Sequence, residues 1–163
     1  MKIIKKIAYL SLVLSAAVFT SCDEGGEPDK IMTATGHMAG DWHIQGFLPD
    51  GTPEDTYHVW STYNASTNDN NMWLDDHGSY FELKSKVQAD VTGMTFSGPA
   101  NAPELITEGT VTITNGKIWP NAAHSFGGHV VDSISFNAEF DWDPGTIYRF
   151  GGHKRTGFLE DEL

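Results

Sequence analysis

Tyr80-Phe81-Glu82-Leu83-Lys84-Ser85-Lys86-Val87 alternates with a period of two residues. Phe81, Leu83 and Val87 fall on one side and Glu82, Lys84 and Lys86 on the other, which is the signature of a half-buried strand and not of a helix. Residues 129–140 repeat the pattern over a longer stretch. Val130, Ile134, Phe136, Ala138 and Phe140 share one face, with His129, Ser133, Ser135, Asn137 and Glu139 opposite. Asp132 interrupts the apolar face. An isolated buried carboxylate is very costly, so Asp132 is expected to be neutral, paired with Arg149 or Arg155, beside a polar gap, or at a strand end that has reached solvent.

The same reading extends outward. Thr110-Val111-Thr112-Ile113-Thr114 is β-branched throughout, and Asn115-Gly116 before Lys117-Ile118-Trp119 predicts a type I′ hairpin, because both turn residues tolerate positive φ. Further strands are expected at 42–48, 57–64, 71–75, 91–97 and 146–155. Turn-rich pieces such as Pro49-Asp50-Gly51, Ser97-Gly98-Pro99 and Asp143-Pro144-Gly145 separate them. No window between them offers a convincing amphipathic helix. The expectation is an all-β fold, an antiparallel up-and-down barrel of about eight strands over residues 36–163, closed by its own ladder. Such a barrel has room for side chains or one small ligand. Trp60, Phe81, Leu83, Ile134 and Phe136, with Asp132, are the residues expected to line a ligand site.

The first 22 residues carry an address. Lys2, Lys5 and Lys6 precede an apolar run from Ile7 to Phe19, the layout of a secretory signal peptide. The run is too short for a permanent span of roughly 20 residues. It ends at Thr20-Ser21, directly before Cys22, the only cysteine of the 163 residues. Small residues followed by Cys resemble the bacterial lipobox, so residues 1–21 are read as a lipoprotein signal peptide and Cys22 as the site of lipid attachment. A diacylglyceryl group with an acylated amino group suffices for stable anchoring. Residues 22–35, beginning Cys22-Asp23-Glu24-Gly25-Gly26-Glu27-Pro28, read as a flexible acidic linker. Acidic residues after the lipidated Cys resemble the export signal of Bacteroidetes surface lipoproteins. The expected location is the outer membrane, facing either the periplasm or the cell surface.

Charge removes one class of partner. The chain holds 22 acidic and 10 basic side chains, for a net charge of −12, and three of its lysines lie in the signal segment. A phosphate backbone repels such a chain, so nucleic acid is not an expected partner. A lone cysteine makes neither an internal disulfide nor a cysteine-based zinc site, and no cofactor is expected.

Ala39-Gly40-Asp41-Trp42 resembles the Gly-x-Trp opening of lipocalin and calycin barrels. There the Trp closes one barrel end under a late-chain Arg, which implies that role for Trp42 with Arg149 or Arg155. Gly40-Asp41-Trp42 with Gly46-Phe47, Tyr63-Asn64-Ala65, Met72-Trp73-Leu74-Asp75-Asp76 and Gly152-His153-Lys154-Arg155-Thr156-Gly157-Phe158 together resemble the Bacteroidetes family called lipid-binding putative hydrolases. The likeness covers most of residues 36–163. It implies a secreted lipoprotein with a calycin-like barrel and an apolar ligand, and brings no agreed catalytic residues.

The residues themselves offer little chemistry. Gly-x-Ser-x-Gly is absent. In His124-Ser125-Phe126-Gly127-Gly128-His129 a Ser stands beside two His in a Gly-rich loop, so Ser125, His124 and His129 are the candidates for a hydrolase site, against a plain turn between strands. His124, His129 and Asp132 are the best local metal ligands, and sequence does not show whether His43, His58, His77 or His153 converge with them. Asn68-Asp69-Asn70-Asn71 with Asp75-Asp76 supplies hard oxygens without EF-hand order. Trp60, Trp73, Trp119 and Trp142 are candidates for a pocket wall or for core. Three functions remain in play: a lipoprotein holding a small apolar or amphipathic ligand, a lipid-ester hydrolase, and a surface accessory protein in a membrane complex.

Overall fold

The computed structural model describes residues 32–163. The signal segment 1–21, Cys22 and the start of the linker lie outside the described residues. Nine strands follow in order: β1 (Gly40–Phe47), β2 (His58–Asn64), β3 (Asn71–Asp75), β4 (Lys84–Asp90), β5 (Thr95–Ser97), β6 (Ala102–Pro103), β7 (Thr110–His124), β8 (Val130–Phe140) and β9 (Tyr148–Lys154). Every pairing is antiparallel. The order β5-β4-β3-β2-β1-β9-β8-β7 closes through β5–β7, giving an eight-stranded barrel with the two-residue β6 added on β7.

The alternation that predicted the strands places their faces. Ile134, Phe136, Ala138 and Phe140 of β8 point inward, as do Phe81, Leu83 and Val87 around β4. The ladder of β4 begins only at Lys84, because Glu82 has φ of 50°. The turn before it is tied to one carboxylate. Asp76, fully buried, accepts from the amides of Gly78, Phe81 and Leu83.

Asn115-Gly116 is not the hairpin expected from the sequence. β7 runs through it as one strand, with a bulge between Thr114 and Lys117 while β8 pairs on both sides. A type I′ turn needs positive φ at two successive residues, and of the pair only Asn115 has it, at 55°. Gly116 serves closure instead. A Cβ there would lie 2.3 Å from Phe96 of β5, so the bare backbone lets the last seam of the barrel shut. Gly152 does the same between β1 and β9, where a Cβ would meet the His43 carbonyl oxygen at 2.0 Å.

The fold starts slightly before residue 36. Thr35 is fully buried and donates to Asn64 Oδ1 from its amide and hydroxyl, and Ala34 donates to Asn68. The 3-10 turn Gly36–Met38 then sets Met38 into the core.

Candidate functional site

Side chains fill the barrel interior. Trp60, Phe81, Leu83, Ile134 and Phe136, expected to line a ligand site, belong to one buried cluster. Phe136 stacks on Phe150 at 4.7 Å with the rings 8° from parallel, and Trp60 touches both. Phe81 lies 4.7 Å from Phe150 and 5.7 Å from Phe140. These residues contact each other rather than surrounding a space, since eight aromatic rings belong to the buried cluster inside a small ring of strands. Asp132 is not among them. It reaches solvent near the start of β8, where it accepts from the Asn121 amide at 3.0 Å and pairs with Lys154 Nζ at 3.3 Å. Its cation is thus a lysine, and neither Arg149 nor Arg155.

The closing residues follow the same pattern. Trp42 is buried, and its Nε1 donates to Thr62 Oγ1, which in turn donates to the Met38 carbonyl. The cation over the Trp42 ring is Lys154, with Nζ 5.6 Å from the ring centre. Arg155 turns away and holds Glu162 through Nε at 2.9 Å and Nη2 at 2.6 Å. Arg149 is exposed on the outer face of β9, beside Gly51. Strand alternation explains the exchange: Lys154 has the same parity as Tyr148 and Phe150, which point inward, and residues 149 and 155 do not.

The barrel wall opens beside β4. Of β4, only Gln88–Asp90 pairs with β5, and Gly98-Pro99 then carries the chain away, because Pro cannot extend a ladder. The chain returns at Pro103 and Leu105, where Ser85 Oγ donates to the Pro103 carbonyl and the Leu105 amide to the Lys84 carbonyl. Between the two lies a groove of about 670 Å³, lined by Trp73, Val87, Pro99, Ala102, Pro103 and Leu105, with Lys86 at its rim. Lys86 Nζ lies 4.9 Å from the centre of Trp73. Of the tryptophans named above, Trp60 is core, Trp73 walls this groove, and Trp119 and Trp142 stand in solvent.

Two other clusters carry polar chemistry. Ser125 is buried and accepts from the His129 amide at 3.0 Å. Near it lies Asp161, a fully buried carboxylate held by the Gly127 amide and the Thr156 hydroxyl. Burial opposes the charge of Asp161, yet the hydroxyls of Thr156 and Ser125 outweigh it and hold the carboxyl at about 2. The His129 ring sits 3.5 Å from Glu160 and 3.9 Å from Asp161, and His124 is exposed at the end of β7. Ser125 and His129 do come together with an Asp. Among the described residues, however, no imidazole nitrogen is hydrogen-bonded to Ser125 Oγ, so the hydroxyl lacks the base that a nucleophile needs. The loop is a turn tied to the C-terminal 3-10 turn Leu159–Asp161.

Beneath that loop lies the pair that sequence did not bring together. His43 and His153 face each other in register across β1 and β9. They are 0% and 6% exposed, with ring centres 5.4 Å apart. Phe126 lies edge-on to His153 at 4.7 Å and Tyr57 closes the side. Both Nδ1 and Nε2 of His43 and Nε2 of His153 are buried without a hydrogen-bond partner. Leaving such a group unsatisfied costs about 1–3 kcal/mol. Burial pushes both imidazoles below the usual histidine range, and for His153 the neighbouring His43 adds to it. Only the odd parity of His43 within a strand whose even positions point inward signals this site, and that parity does not reveal the partner strand.

Asp75 and Asp76 do not form a cation site. Asp75 pairs with Lys84 at 2.8 Å and accepts from Tyr63 Oη at 2.6 Å, while Asp76 ties its own turn. Among the described residues no group of three or more His, Cys, Asp or Glu side chains is arranged to hold a metal ion.

A search of curated proteins finds no significant match to the chain. A family model does match, over residues 27–159, spanning every strand and both the groove and the histidine pair. With the eight-stranded barrel and the Gly40-Asp41-Trp42 opening in place, that match shows that the chain belongs to the family described as lipid-binding putative hydrolases.

Proposed function

We propose that the protein is a lipoprotein anchored through Cys22 to the outer membrane and exposed at the cell surface, where it holds one apolar or amphipathic, lipid-like ligand in the groove beside β4. The observation that carries this reading is the groove itself: about 670 Å³, within the range of small-molecule sites, apolar along its walls and topped by the Lys86 ammonium. A filled interior moves the seat from the barrel lumen to its wall, and membership of a lipid-binding family supports the ligand class. The pattern of Lys2 to Cys22 supports the anchor. Ser125 has a structural role here, since its hydroxyl meets a carboxylate and a main-chain amide.

The described residues 32–163 carry a closed barrel with its own buried core, so residues 23–163 serve for the assay. Native mass spectrometry with a long-chain fatty acid is expected to give one bound molecule per chain. Trp73→Ala and Leu105→Ser should each weaken it roughly tenfold, about 1.4 kcal/mol, as expected when a large apolar contact is removed. Unchanged affinity in both variants would remove the ligand from the groove. Absence of any bound lipid on folded protein favours the second reading, a surface accessory protein, which the filled interior also supports. For the anchor, Cys22→Ser should shift the full chain from the membrane to the soluble fraction, and retention in the membrane would overturn that assignment.

A further inference from the structure

The histidine pair lies apart from the groove and outside anything that lipid binding uses. We propose that His43 and His153 together bind a transition-metal ion of the zinc class. Imidazole nitrogen suits zinc, copper and nickel ions. The three unpartnered ring nitrogens offer lone pairs or protons with nowhere else to go in the folded chain.

The spacing fits one shared ion. Zinc binds imidazole nitrogen at about 2.0–2.1 Å, which places each ring centre about 3.2 Å from the ion. Two ring centres 5.4 Å apart then subtend about 115° at it, close to tetrahedral. The strand register fixes this separation, because positions 43 and 153 are direct cross-strand partners.

Among the described residues no third His, Cys, Asp or Glu side chain is arranged with these two imidazoles to complete a metal site, so the site keeps open positions. Water takes the rest. Such a site is weaker than a four-ligand structural zinc, and micromolar affinity is expected. Phe126 covers it, and Gly127-Gly128 follows directly, so the ion enters when this loop lifts. The competing occupant of the same space is a bridging water, which satisfies buried polar groups in the same way.

The test uses the full chain, purified in detergent and stripped of metal with a chelator, then titrated with Zn²⁺ and with Co²⁺. One equivalent of Zn²⁺ should bind, and Co²⁺ should give the absorption bands of a low-symmetry site with nitrogen ligands. His43→Gln and His153→Gln should each weaken binding at least tenfold, while His37→Gln, at an exposed position, should not. Should either variant fail to fold, the wild-type protein still decides: Zn²⁺ must move the imidazole ¹⁵N resonances of His43 and His153. Absence of binding at 100-fold excess metal would overturn the proposal and leave water in the site. So would binding that survives both substitutions, or shifts confined to other histidines.

Discussion

Truncating Phe136 asks whether the barrel interior is core or cavity. Phe136 is 1% exposed, stacked on Phe150, and in contact with Trp60 and Phe96. The surrounding strands form a closed ring through β5–β7, so the wall cannot collapse into the space that Phe136→Ala leaves. The full cost of lost burial plus cavity therefore applies, about 3–5 kcal/mol. For a domain of this size that is a drop in Tm of roughly 10–20 °C. Urea unfolding followed by circular dichroism should show a lower midpoint with an unchanged slope, since neither end state alters its exposed surface much. Trp119→Ala, at an exposed ring, is the control and should change stability by about 0.5 kcal/mol or less. A loss below about 1 kcal/mol for Phe136→Ala, together with altered lipid affinity, would refute the reasoning: the ring would then be the wall of an internal site.

Two further outcomes follow from single contacts. Gly152→Ala should cost more than the ~1–3 kcal/mol of ordinary overpacking, because its Cβ would meet the backbone of β1 and not a movable side chain. Gly145→Ala, with φ of 89° and open space around it, should cost only about 1 kcal/mol, and equal denaturation midpoints for the two would contradict the closure argument. Acid stability should depend on Asp75. Burial opposes its charge, but Lys84, Tyr63 and the His77 amide outweigh burial and hold its carboxyl below the usual range. A depressed folded value means that the unfolded chain binds the proton first, so this stabilisation is present above about pH 4 and lost as pH falls through the folded value. Unfolding free energies from pH 2.5 to 6 should slope less in Asp75→Asn than in wild type, and parallel slopes would disprove the assignment.

Alternation made the barrel legible because inward and outward positions differ in polarity on most strands. Residues 129–140 and the stretch to Val87 carried it plainly, and the structure keeps both faces as read except at Val130, which stands exposed at the start of β8 where the strand has reached solvent. Asn115-Gly116 was misleading for a physical reason. The same residue types that make a tight turn also make a bulge, and only the pairing of β7 with β8 on both sides decides between them. The candidate site was less legible still. Trp73 and Lys86 sit on the polar face of their strands and read as ordinary surface, and the groove exists only because β5 is three residues long and leaves half of β4 uncovered.

The amino-acid sequence alone determined the fold class, the strand positions within a few residues, most of the inward faces and the family, because these rest on local periodicity and on short motifs each contiguous in the chain. Tertiary structure decided everything that depends on two strands meeting. It set Lys154 rather than an arginine over Trp42, filled the interior that sequence left open to a ligand, and brought His43 against His153 from positions 110 residues apart. A single strand states which way its side chains point. Register and ring closure choose what they meet.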